Sequence, residues 1–178
     1  ELLGHSFSKE GRTDMLAACL HGSASQDMPG IAGFKVQTRR LAWVGDRVVA
    51  LVLADFLANR LPDADPGVLN KPLDHLKQRK ALAKAARRSG LSEFIVASAN
   101  GASQAQEDNP LGEFLEAIIG AIYHDPGGGF DAARLAAERL LAPSVEAHFD
   151  PEEQAQERAE DDREFDRLMA SAAALTSE

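Results

Sequence analysis

Two stretches decide how this chain is read: Arg39-Arg40-Leu41-Ala42-Trp43-Val44-Gly45-Asp46 and Glu113-Phe114-Leu115-Glu116-Ala117-Ile118-Ile119-Gly120-Ala121-Ile122-Tyr123. Both are largely apolar and helical in pattern. Each nonetheless carries acidic groups on the face expected to pack. Buried carboxylates are costly unless a metal or a cation neutralises them, so the pattern points to a site. Residues 42 and 46 (i, i+4) share one helix face, as do Glu113 and Glu116 (i, i+3). Packing of the two helices would bring Asp46, Glu113 and Glu116 together. Three oxygen donors in an apolar setting suit a hard divalent cation such as Mg²⁺. The matching chemistry is phosphodiester hydrolysis, with the metal lowering the pKa of a bound water. Spacing alone more commonly means glutamates that face solvent.

Outward from these stretches the chain reads as nearly all helix. Helices are expected over residues 12–20 with Thr13 as N-cap, 38–60 ending before Leu61-Pro62, 72–89 with Gly90 as C′ residue, 111–124, and 130–141 closed by Pro143. Residues 2–7 form a short start, and 22–33 a loop rich in Gly, Ser and Pro. Residues 62–66 are a connector, 92–97 are ambiguous between helix and strand, and 98–110 read as an exposed polar loop. Gly127-Gly128-Gly129 follows a helix and lacks a Lys-Ser/Thr ending, so it reads as a C-terminal cap and turn, not a phosphate loop.

With 178 residues and a 44% hydrophobic share, the chain has room for one cored domain with an appendage. A single cysteine, Cys19, excludes an intrachain disulfide and fits a reducing compartment. No apolar run reaches membrane-spanning length, so no membrane partner is expected. The chain opens at Glu1 without an initiator methionine, which fits a fragment, a tag-cleaved chain or removal of a targeting peptide. The charge is uneven. Residues 144–178 hold eleven acidic groups against three basic ones, a balance of −8 within a total of −9. The body, residues 1–143, is therefore nearly neutral. The tail, residues 144–178, is an acidic extension, helical or disordered. It is too short for a further RNA-binding domain of ordinary size.

The ordered set of segments resembles the ribonuclease III family of double-stranded-RNA endonucleases. Leu2-Leu3-Gly4-His5-Ser6-Phe7 is similar to the family's opening segment, and Ala18 to Ser23 to its Thr-His-(Arg)-Ser region in looser form. Residues 41–46 and 52–57 resemble the signature helix. Leu76, Leu82-Ala83 and Ala86-Arg87 up to Gly90-Leu91 fit the next helix, and Glu113 to Tyr123 with Asp125 fit the second acidic helix. The resemblance implies an all-α ribonuclease III fold over residues 1–143. It implies metal ligands at Asp46, Glu113 and Glu116, with Asp46 and Glu116 catalytic. The match is partial. Glu113 falls where the family has aspartate. Ala42 falls where it has a liganding glutamate. Arg39 falls where it has an acidic residue. Arg39 lies two turns before Asp46 on the same face, so its guanidinium is expected either to lean on the carboxylates as a partial substitute for metal or to remain on the surface.

Two surfaces complete the reading. Lys71, Lys77, Arg79, Lys80, Lys84, Arg87 and Arg88 concentrate in one segment, and Lys77, Lys80, Lys84 and Arg87 would form one stripe on a helix. With Lys71 they are candidate contacts to the phosphates and 2′-hydroxyls of duplex RNA, against the commoner meaning of a solvated face. Trp43, Val44 and Val48 are candidates for the interface through which family members pair, with a second copy or another ribonuclease III-like chain. His5, His21, His75, His124 and His148 show no metal-ligand spacing and read as structural or surface residues. The expectation is a non-cleaving family member with a vestigial site. It would bind structured or double-stranded RNA, including rRNA, and ribosomal proteins, as in the mitochondrial large ribosomal subunit. The alternative is an active Mg²⁺-dependent endonuclease with an atypical site; without activity no cofactor is needed. The expected compartment is intracellular, the mitochondrial matrix first and the cytoplasm otherwise.

Overall fold

A computed structural model describes residues 3–27 and 33–175. Among the described residues eight α-helices follow in order: α1 (Arg12–Cys19), α2 (Phe34–Arg60), α3 (Pro66–Leu76), α4 (Arg79–Arg88), α5 (Ala102–Ala105), α6 (Asp108–His124), α7 (Gly129–Phe149) and α8 (Pro151–Leu175), with short 3₁₀ turns at Gly22–Gln26, Leu91–Phe94 and Ala99–Gly101. The described residues hold no strand, only an isolated parallel bridge between Leu20 and Val96. No described helix is long and apolar enough to cross a membrane. By its internal contacts the chain divides into two units, Glu1–Val145 and Glu146–Glu178.

Helix α6 is the centre of the first unit. Its apolar residues run all round the helix, which is the pattern of a buried element. From Leu111 to Ile122 every residue but Glu113 is buried. Helices α1, α2 and α4 pack around it. Helix α2 contributes Leu41, Gly45, Val48, Val49, Val52, Leu53 and Leu57 to the core, a stripe at helical spacing. Its opposite side leaves Val36, Trp43 and Leu51 exposed.

Glycines set how closely α2 and α6 cross. A Cβ on Gly45 would lie 1.8 Å from the Glu116 carbonyl oxygen, and one on Gly120 would lie 2.0 Å from that of Leu41. The two backbones touch at this crossing, so the carboxylates beside it are drawn together.

Several expected elements differ. The helix over 72–89 is two helices: α3 begins at Pro66 after an Asp65 cap that accepts from the Gly67 and Val68 amides, and α4 begins at Arg79. Pro66 suits the first turn, where no intrahelical N–H bond is lost. Pro72 lies inside α3 rather than starting a helix. Thr13 is not a cap; Gly11 precedes α1 without a side-chain cap. The expected loop 98–110 holds a 3₁₀ turn capped by Ser98, the short α5 and the start of α6, with Gly101 and Ala105 buried. Helix α7 continues through Pro143 to Phe149. The glycine run does not cap α6, whose C-cap is Asp125 in extended conformation. Instead Gly129, at φ +80°, opens α7. Gly90, at φ +76°, does take the left-handed conformation that ends α4. The segments 2–7 and 22–33 lie partly outside the described residues. In the second unit α8 is a helix that exposes Phe165, Leu168 and Met169.

Candidate active site

The α2–α6 crossing places Arg39, Ala42, Trp43 and Asp46 from α2, Arg79 from α4, and Glu113 and Glu116 from α6 around one shallow pocket of about 210 Å³. The three carboxylates named from sequence are therefore brought together. Ala42 is buried at the same place and offers no donor atom.

The environments of the carboxylates differ. Glu116 is buried, at 3% exposure. Arg79 Nη1 donates to its Oε2 at 2.5 Å. Burial pushes its carboxyl above the ordinary value near 4.5, an effect strengthened by Glu113 and opposed by the hydrogen bond and charge of Arg79 and by Lys77. Asp46 is partly exposed and meets Lys77 Nζ at 3.4 Å as well as the guanidinium of its neighbour Arg47. Arg47 in turn lies over the Trp43 ring, 5.4 Å from its centroid. Glu113 is half-buried and also borders a second small cavity with His21, Thr38 and Phe114. Burial holds the His21 imidazole below its ordinary range, against the pull of Glu113 and Glu107.

The sequence offers Arg39 either as a substitute cation or as a surface residue, and it is exposed. Arg39 lines the pocket, but, beside Arg47 of α2 itself on Asp46, the cations that reach the carboxylates from other elements are Arg79 and Lys77. Spacing has no means of finding them, because both come from a junction that has the periodicity of a helix interior.

The divalent ion implied by the resemblance does not fit the residues as they stand. Among the described residues no group of three or more His, Cys, Asp or Glu side chains is arranged to hold a metal ion. The fourth position is Ala42. Two of the three carboxylates already carry protein cations. The donors are of the right chemical kind, hard oxygens, but Asp46 and Glu116 are each paired with protein cations.

The basic stripe is broken. Lys77 caps α3, while Lys80, Lys84 and Arg87 lie on α4. Lys77 is engaged by Asp46. Arg87 donates to Asp108 at 2.8 Å and to the Gln106 carbonyl at 2.6 Å. Lys71 and Lys80 are exposed and Lys84 is half-buried. Of the interface candidates, Trp43 is 64% exposed and Val44 half-buried, but Val48 is buried in the domain's own core. Trp43 and Val44 border a wide groove with Val36, Gln37, Arg40 and His124.

A buried staple lies at the far end of α6. Asp125 is 3% exposed and accepts from the backbone N–H of Ser8 at 3.2 Å and from its hydroxyl, and it pairs with His5 Nε2 at 2.7 Å. His5 is thus structural, as its lack of ligand spacing implies.

An all-helical body with carboxylates facing one another at a helix crossing is the arrangement that the family resemblance implies. The Ribonuclease-III-like family model matches residues 15–144, and the chain belongs to that family. A protein of Rhodopseudomonas palustris named Ribonuclease 3 is 35% identical over 149 residues, covering 80% of this chain and 52% of that protein. A protein of Methylocella silvestris with the same name is 32% identical over 145 residues, covering 80% and 57%. The chain thus spans little more than half the length of these relatives. The nuclease domain of ribonuclease III from Campylobacter jejuni, described for flexibility in a region involved in dimer formation, superposes with a TM-score of 0.65 at 28% identity. That match covers 80% of this chain and 92% of the Campylobacter chain.

Proposed function

We propose that the chain acts on double-stranded RNA as a ribonuclease III-type endonuclease domain whose own hydrolysis is weakened at position 42. The observation that carries this reading is the convergence of Asp46, Glu113 and Glu116 beside Ala42 in one pocket, within a body that matches the family from residue 15 to residue 144. The name shared by the relatives, Ribonuclease 3, supports an endoribonuclease over a structural component of a mitochondrial ribosome. Arg39 on the pocket wall, with the exposed Lys71 and Lys80, supplies positive charge for a phosphate backbone despite the acidic total. The exposed face of α2 around Trp43 and Val36 suits pairing with a second copy, which would set two such pockets on one duplex.

A second reading, duplex binding with no cleavage at all, is favoured by the cations on Glu116 and Asp46. Cleavage of an end-labelled RNA duplex by the chain, Ala42→Glu and Glu116→Gln separates the two. Weak cleavage by the unmodified chain, raised by Ala42→Glu by roughly a hundredfold or more and abolished by Glu116→Gln, is the expected result, since a missing group at a reacting centre commonly costs at least that much. Silence from all three, with duplex binding intact, would leave the non-cleaving reading.

A further inference from the structure

We infer that Arg79 and Lys77 are the resident counter-cations of this site, holding Glu116 and Asp46 in place of a divalent metal ion. The inference rests on the reading of the pocket as a ribonuclease III-type site, and it concerns what neutralises that site.

The arrangement is built into the fold. Lys77 caps the end of α3 and Arg79 is the first residue of α4. The break between the helices therefore delivers two cations to the α2–α6 crossing. Gly112 stands one turn before Glu116 on α6. A Cβ there would sit 2.9 Å from Arg79 Cδ and 3.1 Å from the Arg79 carbonyl oxygen. Glycine lets the start of α4 lie directly on α6, and that contact sets the reach of the guanidinium to Glu116. The pair follows from backbone packing and is not a chance meeting of two long side chains.

Charge points the same way. The carboxylates Asp46, Glu113 and Glu116 share their surroundings with the cations Arg39, Arg47, Lys77 and Arg79. A divalent ion entering here would have to strip Arg79 from a buried carboxylate. It would then remain among like charges, with no donor at Ala42 to complete its shell. A guanidinium already bonded to the buried carboxylate meets the requirement that such a charge be paired.

The test needs no RNA. Mn²⁺ is titrated into the full chain, with free Mn²⁺ counted by electron paramagnetic resonance. Binding at the pocket is followed by quenching of Trp43, which lines it and is the sole tryptophan. The unmodified chain is expected to show no saturable binding up to millimolar Mn²⁺, so the weak cleavage expected of it would need metal above that range. Lys77→Gln/Arg79→Gln is expected to bind one equivalent at least about tenfold more tightly, the scale on which groups around a metal site tune affinity. Adding Glu116→Gln should remove that gain, and Arg79→Lys, which keeps the cation, should behave as the unmodified chain. Saturable binding by the unmodified chain that Glu116→Gln abolishes would overturn the inference. So would a double variant, folded by circular dichroism, that gains nothing. Should the double variant not fold, Lys77→Gln alone carries the test, because Lys77 is partly exposed: a gain supports the inference and no gain overturns it. Duplex binding in the presence of chelator is measured separately. Its loss would sink the functional reading while leaving the metal titration to stand on its own.

Discussion

Two buried carboxylates, one in the middle of α6 and one at its C-cap, meet opposite fates. For Glu116, burial dominates and raises the carboxyl even with Arg79 in place. For Asp125, burial also pushes upward, but the hydrogen bonds from the Ser8 side chain and backbone and from His5 outweigh it, and the net direction is down from 3.8. The consequences for stability have opposite signs. The Asp125 contribution is present above pH 3.8 and is lost as pH falls through the lower folded value. The Glu116 contribution is present below pH 4.5 and is lost as pH rises through its raised folded value. Asp125→Asn is expected to cost about 1–3 kcal/mol at pH 7, because Ser8 and His5 lose an ionised acceptor. It should also flatten the loss of stability below pH 3.8. Urea unfolding at pH steps from about 7 down to about 3 measures both; an unchanged midpoint at neutral pH would show that the staple is dispensable. Among single residues the acidic trio is legible in the sequence through the family resemblance, because its spacing alone also fits glutamates that face solvent. Arg79 is not, since nothing local distinguishes it from the other basic residues of its segment.

The junction of α3 and α4 is the place where periodicity misleads with most effect. Residues 72–89 are periodic enough to read as one helix, which would gather Lys77, Lys80, Lys84 and Arg87 into a stripe. The break at residues 77 and 78 redirects Lys77 toward Asp46 and leaves Arg87 committed to Asp108. The basic surface of this region is therefore narrower than the sequence implies, and Lys71 and Lys80 are exposed on it. Lys71→Glu/Lys80→Glu is expected to weaken duplex-RNA binding at all sequences alike. It should also lower the slope of log affinity against log salt by about one for each phosphate no longer neutralised. Fluorescence anisotropy at several salt concentrations checks it; an unchanged slope would remove these lysines from the RNA surface. Elsewhere the existence of helices is legible and their ends are not. Pro143 reads as a stop and is an interior residue of α7, and the polar run 98–110 reads as a loop and carries helical turns and buried residues. Local propensity yields where tertiary packing decides.

For the whole molecule, the exposed side of α2 is the feature that a single copy leaves unexplained. Trp43 and Val36 face away from the core, while Val48, expected beside them at an interface, is taken up within it. Pairing of two copies through this side would cover Trp43. Trp43→Asp is expected to shift the chain from dimer to monomer in sedimentation equilibrium with little change in its helical circular dichroism; a variant that stays dimeric would move the interface elsewhere. Residue type and the 3.6-residue period are enough to establish that the chain is all helix and that three carboxylates lie on two apolar helices. They also establish that position 42 lacks a donor and that the negative charge is gathered at the C-terminal end. All of these are local properties, which is why they can be read along the chain. Packing in three dimensions settles the rest: Gly45 and Gly120 bring those helices into backbone contact, Val48 is core, and Arg79 and Lys77 sit on the carboxylates. Glu116 and Arg79 are separated by 37 positions in the chain, and no periodicity reports a meeting that depends on where a third helix begins.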